Sequence, residues 1–115
     1  MIIIAGTVEI DPARRDAALK AGLEHEAAGR AEAGCLDYVW TADSHNPGRI
    51  YVYERWESQQ ALEAHFQSAA YRDMRATING HGIRGANVAK YRIDLAEPVY
   101  DPTGRPRADF FTAAG

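Results

Sequence analysis

A chain of 115 residues with 13 Lys and Arg against 16 Asp and Glu has a formal charge of −3, which fits one domain and excludes a strongly basic nucleic-acid binder. No run of about 18 apolar residues is present, so no membrane span is expected, and Met1-Ile2-Ile3-Ile4 lacks the basic lead and cleavage site of a signal peptide. The single cysteine, Cys35, cannot close an internal disulfide and points to a reducing, cytoplasmic setting.

Ile2 to Ile10 predicts a strand, with Ile2, Ile4, Gly6, Val8 and Ile10 on one face and Ile3, Ala5, Thr7 and Glu9 on the other. Asp11-Pro12 then opens a helix, Asp as N-cap and Pro at the first helical position. That helix is expected to run to about Ala33 with Leu19, Leu23 and Ala27 as its apolar stripe, and Gly34 is its stop. Cys35 to Asp43 and Arg49 to Trp56 predict a hairpin around the turn cluster Ser44-His45-Asn46-Pro47-Gly48. Ser58 is a plausible N-cap for a helix carrying Leu62, His65, Phe66 and Ala69. A second helical piece follows, with Tyr71, Met74, Arg75 and Ile78 on one face, broken by Gly80, Gly82 and Gly85. Ala86 to Leu95 completes the set as a fourth strand. From Glu97 the composition shifts: Pro98, Pro102, Gly104 and Pro106 argue against regular structure. Val99, Tyr100, Phe110 and Phe111 suggest that residues 97–115 form an arm packed on something rather than a solvated tail.

The order β-α-β-β-α-β is the split βαβ pattern, an α+β ferredoxin-like domain over residues 1–96 with a four-stranded antiparallel sheet. A sheet with one wet face alternates cleanly, but these strands are apolar on both sides. Ile50, Val52 and Trp56 oppose Tyr51 and Tyr53 on the third strand. Helices cover one face only, so a second copy of the chain is expected over the other.

The stretches Gly34-Cys35-Leu36-Asp37-Tyr38, Arg49 to Ser58 and Ala61 to Phe66 together resemble the antibiotic biosynthesis monooxygenase family of dimeric α/β barrels. The most specific part is Glu54-Arg55-Trp56 followed nine residues later by His65. The resemblance implies a homodimeric, cofactor-independent monooxygenase that oxidises a quinol or polyhydroxylated aromatic with dioxygen, the substrate serving as its own reductant with no flavin or metal. A non-catalytic dimeric module binding small aromatic ligands, or an isomerase or lyase on the same fold, are the rival readings. One relative of this family degrades haem with Asn, Trp and His. The corresponding positions here are Thr7, His65 and Arg75, so haem chemistry is not expected.

Two readings stand for each candidate residue. His65 shares the inward helix face with Leu62, Phe66 and Ala69, either as a satisfied core histidine or as the acceptor of a substrate proton. Taking a proton from a phenol of pKa about 10 onto a histidine of about 6.5 is uphill by about 5 kcal/mol, so phenolate-stabilising donors are required. Arg75, Arg72 and Tyr71 are the candidates, with Tyr53 or Tyr51 from the sheet. Glu54 is either a buried carboxylate in an ion pair or cap, or the group that orients His65. Trp56 is either core or, with Phe66, an aromatic wall of a substrate pocket, and Trp40 is placed equally well on the dimer seam. Arginine outnumbers lysine 11 to 2, and Arg72, Arg75 and Arg84 form either a solvated face or a local attraction for an anionic or phenolic ligand. His25, His45, His65 and His81 show no metal-ligand spacing. Gly80-x-Gly82-x-x-Gly85 does not link a strand to a following helix and is no dinucleotide fingerprint.

Overall fold

The computed structural model describes residues 1–112; the end of the expected arm, residues 113–115, lies outside the described residues. Seven elements follow one another: β1 (Ile2–Ile10), α1 (Arg15–Arg30), β2 (Cys35–Ala42), β3 (Arg49–Trp56), α2 (Gln59–Phe66), α3 (Ala69–Asn79) and β4 (Ile83–Arg92). The sheet is antiparallel throughout in the order β2-β3-β1-β4. No helix among the described residues is long and apolar enough to cross a membrane.

Register puts the apolar set on one side. Ile4 faces Glu54, Val8 faces Ile50, and Gly6 faces Val52 on one flank and Val88 on the other. Ile4, Val8, Ile10, Tyr38, Ile50, Val52 and Trp56 are buried beneath the helices. A fully buried Ile such as Ile50 contributes about 1.5–3 kcal/mol relative to an exposed one. A bulge between Cys35 and Asp37 slips the β2 register. It throws Leu36 out to 39% exposure, off the face expected from strict alternation.

α1 differs from expectation. Asp11 accepts from the Ala13 N–H at 2.9 Å in a tight turn, and the helix begins only at Arg15. Its inward face is Ala18, Gly22, Glu26 and Gly29, whereas Leu23 is 59% exposed and Ala27 is also outside. Small residues win this face because α1 lies close to α3 and β2. A Cβ on Gly29 would stand 3.1 Å from the Tyr38 ring. The helix also ends earlier than expected, at Arg30 with Ala31 as its C-cap; Gly34, with φ +80, instead turns the chain into β2, where a Cβ would meet Ala61 Cβ at 2.4 Å.

Ser58 caps α2 by accepting from the Ala61 N–H at 3.1 Å, and Ser68 caps α3 by accepting from Tyr71 N–H at 3.2 Å. α2 lies against β3, and α3 against α1. Gly85, expected to break a helix, is inside β4 opposite Glu9. β4 is an edge strand whose ten residues are all exposed, and near it the helix-side face of the sheet is open. The opposite face shows Tyr51, Tyr53 and Tyr91 at 45%, 40% and 52% exposure.

Beyond β4 the chain projects, giving a radius of gyration of 16.4 Å against about 13 Å for a compact chain of this size. The arm is organised by itself. Asp101 accepts from Thr103 and Arg105, a bridge joins Tyr100 to Pro106, and Arg107 pairs with Asp101 and Asp109 while lying over the Phe111 ring.

Candidate functional site: a carboxyl at the wall of an aromatic cavity

A cavity of about 960 Å³ opens between the uncovered part of the sheet and α2. Its floor is Ile2, Ile4, Val52, Glu54 and Trp40, its β4 side Val88 and Lys90, and its helical side Gln59, Leu62, Glu63, Phe66 and Tyr71. A smaller lobe of about 300 Å³ shares Trp40, Glu54, Tyr71 and Val88 and extends to Met74, Arg75 and Ile78. Glu54 and Tyr71 thus stand at the junction of two spaces, with Arg75 serving one and Lys90 the other.

Glu54 is held there by β3. It projects to the helix side in step with Val52 and Trp56, and only 6% of it is exposed. The Trp56 indole N–H donates to Glu54 Oε1 at 3.0 Å, and His65 Nε2 lies 3.9 Å from the same oxygen. Glu54 Oε2 has no hydrogen-bond partner among the described residues. Burial pushes the carboxyl up to about 7, with the Glu32 charge adding to the rise and the Trp56 hydrogen bond opposing it. A carboxyl with one free oxygen and a pKa near neutrality can take and return a proton.

His65 is behind Glu54 rather than in the cavity wall. It is 1% exposed and boxed by rings: Trp56 at 4.4 Å, Tyr38 at 5.2 Å, Tyr71 at 5.5 Å and Phe66 at 5.9 Å between centroids. Its Nδ1 lies 2.9 Å from Glu32 Oε2. The facing carboxylate assigns the proton to Nδ1 and leaves Nε2 as an acceptor toward Glu54. Ser68 Oγ donates to the other Glu32 oxygen at 2.8 Å. The Tyr38 hydroxyl is pushed up, chiefly by burial and then by the Glu54 charge. The nearby Trp40 indole opposes that rise, while Trp40 Nε1 is buried with no hydrogen-bond partner among the described residues.

The sequence-derived candidates therefore divide. Glu54, Phe66, Tyr71 and Arg75 reach the cavity or its lobe. His65 and Trp56 are fully buried behind it, and Tyr53 projects from the opposite face of β3. Trp40, placed on the seam as readily as anywhere by the sequence, lines both spaces; its parity with Tyr38 on β2 was the available signal. Glu32 and Lys90 carry no local mark, because their roles depend on contacts across the fold. Among the described residues no group of three or more His, Cys, Asp or Glu side chains is arranged to hold a metal ion.

Comparison with known proteins adds the family. The sequence profile described as antibiotic biosynthesis monooxygenase matches residues 1–77, a span that includes Glu32, Glu54 and His65 but stops short of β4. A crystal structure from Deinococcus radiodurans, provisionally classed as an antibiotic biosynthesis monooxygenase, superposes with a TM-score of 0.77 at 20% identity. The match covers 88% of this chain and all of that one. A Mycobacterium tuberculosis structure gives a TM-score of 0.70 at 25% identity over 84% and 98% of the two chains. One from Pseudomonas aeruginosa gives 0.68 at 26% over 80% and 93%. An uncharacterised Synechocystis protein is 24% identical over 72 residues, 63% of this chain, and the match spans about half (49%) of that relative's length.

Proposed function

This chain belongs to the antibiotic biosynthesis monooxygenase family, and on that premise we propose that it oxidises a quinol or polyhydroxylated aromatic with dioxygen, with Glu54 as the group that takes the substrate's hydroxyl proton. The observation that supports this most is the buried Glu54 carboxyl, raised to about 7, presenting a free oxygen to an aromatic-walled cavity large enough for a polycyclic phenol. Transfer from a phenol of pKa about 10 to such a carboxylate is uphill by about 4 kcal/mol. A glutamate with the ordinary pKa of about 4.3 would face roughly twice that. The Tyr71 hydroxyl, hydrogen-bonded by Arg75 at 3.3 Å, and the Lys90 ammonium are the donors placed to hold the resulting anion.

The reaction balances without a second reductant. A quinol and dioxygen give a hydroxyquinone and water. One oxygen atom enters the ring, and the four electrons come from the two hydroxyl groups and the ring C–H bond. The anion formed at Glu54 is the electron donor to dioxygen.

The working unit is proposed to be a homodimer. Tyr51, Tyr53 and Tyr91 make the outer sheet face too apolar to leave wet, and a two-fold copy presents a matching face. Residues 97–112, with Val99, Tyr100 and Phe110 exposed, are proposed to lie on that copy.

Oxygen-electrode assays with reduced naphthoquinols, corrected for autoxidation, test the activity. Enzyme-dependent uptake with one hydroxyquinone formed per dioxygen is expected. Saturable binding of the same quinols without uptake would overturn it and leave a ligand-binding module.

A further inference from the structure

We infer that Glu54, His65 and Glu32 form a proton relay carrying the substrate's proton from the cavity wall to the protein surface. The inference rests on the proposed role of Glu54 and explains where its proton goes. Glu54 is enclosed. Only 7% of its side chain is exposed, and Trp56 and His65 block its inner side. Once a planar aromatic fills the cavity, water no longer reaches Oε2, and a carboxyl that has accepted a proton must lose it inward before the next turnover.

The inward path is present. His65 Nε2 lies 3.9 Å from Glu54 Oε1, Nδ1 lies 2.9 Å from Glu32 Oε2, and 21% of the Glu32 side chain is exposed. The first gap exceeds a hydrogen bond by about 1 Å. The terminal torsion of a glutamate is broad and soft, so a turn that releases the Trp56 hydrogen bond brings the protonated oxygen to the His65 side, and a side-chain shift of about 1 Å completes the contact. The steps move protons only. The substrate O–H breaks and Oε2 gains the proton. The turned carboxyl passes it to Nε2, Nδ1–H passes to Glu32, and Glu32 releases a proton to solvent; this leaves the His65 proton on Nε2, and a turn of the ring restores the Nδ1–H form before the next transfer. The transient imidazolium lies between the Glu54 and Glu32 carboxyl groups, with the Trp56 ring 4.4 Å away. His65 and Glu32 are positioning residues here, since neither touches the cavity.

The other charged and titratable groups do not form a competing path. Lys90 on β4, Glu63 on α2 and Arg75 on α3 face the cavity spaces from their rims, and none hydrogen-bonds Glu54 among the described residues. Tyr38 and Cys35 on β2 flank the chain of groups, and the ionisation of both is made harder by burial first and then by neighbouring carboxylates. Arg30, two residues before Glu32, is engaged by Glu26 and the Tyr38 carbonyl, and Arg55, next to Glu54 in sequence, pairs with Asp37.

The test pairs a measurement that needs no activity with one that does. Glu54 is titrated by carboxyl-carbon NMR in the ligand-free protein and in Glu32→Gln and Glu32→Asp. The Glu54 midpoint should fall by roughly half a unit or more in Glu32→Gln, where a like charge is lost, and stay near wild type in Glu32→Asp. Quinol turnover should fall about tenfold in Glu32→Gln in dilute buffer. It should recover with added formate as a proton carrier and show an acid limb moved to lower pH. That loss is smaller than the hundredfold or more expected for removing a general base itself. Unchanged Glu54 titration in Glu32→Gln, or turnover that neither drops nor responds to buffer, overturns the relay while leaving the oxidation intact. The NMR shift without any quinol oxidation overturns the proposed function instead.

Discussion

The Trp56 indole N–H points along its own strand to Glu54 Oε1 at 3.0 Å, so one side chain of β3 fixes the other two residues away. Removing that N–H in Trp56→Phe leaves Glu54 with one fewer donor. The Glu54 midpoint should rise further above 7, and the fold should lose about 2 kcal/mol or more from the lost hydrogen bond to a buried carboxylate and the lost ring volume. Trp40→Phe removes an N–H that has no hydrogen-bond partner among the described residues. The relief should offset the lost area, keeping stability within about 1 kcal/mol of wild type. Urea unfolding of the two variants side by side checks the contrast.

Glu54 also makes stability depend on pH, with a definite sign. Its folded pKa of about 7 lies above the ordinary value of 4.5, so the fold holds this proton more tightly than the unfolded chain does. The corresponding stability is complete below about pH 4.5 and is lost as pH rises through 7. Relative to Glu54→Gln, wild type should lose roughly 2–3 kcal/mol between pH 5 and pH 8. A flat difference in denaturant midpoints over that range would show that Glu54 titrates normally.

The junction between α1 and β2 is set by sterics at Gly34, where φ is +80 and Ala61 leaves no room. Gly34→Ala should cost about 1–2 kcal/mol from the left-handed backbone alone, with the Ala61 clash in addition. In an Ala61→Gly background the same substitution should cost less. Equal costs in both backgrounds, read from thermal unfolding, would show that α2 moves aside freely.

Assembly is the next test. At micromolar concentration the protein should elute and scatter light as twice its 12.7 kDa chain mass. Tyr53→Asp, which puts a charge on the outer sheet face, should shift it toward monomer. A monomeric wild type would leave Tyr51 and Tyr53 wetted and remove the scaffold proposed for the working unit.

Much of the fold was legible because strand parity carries far. The bounds of β1 and β3 follow from their sequences, and the cap at Ser58 is a local signal. α1 was less legible. Its stripe was read from leucines, whereas close approach to Tyr38 and Met74 selects Gly22 and Gly29 for the inward face. In the candidate site, Glu54 was marked by being a carboxylate in phase with Val52 and Trp56. The layering of Glu54 before His65, and the 33-residue link from His65 back to Glu32, exist only once α2 is laid over the sheet. No sequence window contains them.

The most direct measurement is a single turnover of a reduced naphthoquinol under ¹⁸O₂ by wild type and Glu54→Gln, with product mass and rate both recorded. One labelled oxygen should appear in the hydroxyquinone, and the variant should be slower by about 10²–10⁴-fold. Unlabelled product, or equal rates for the two proteins, would contradict Glu54 as the base of a monooxygenase.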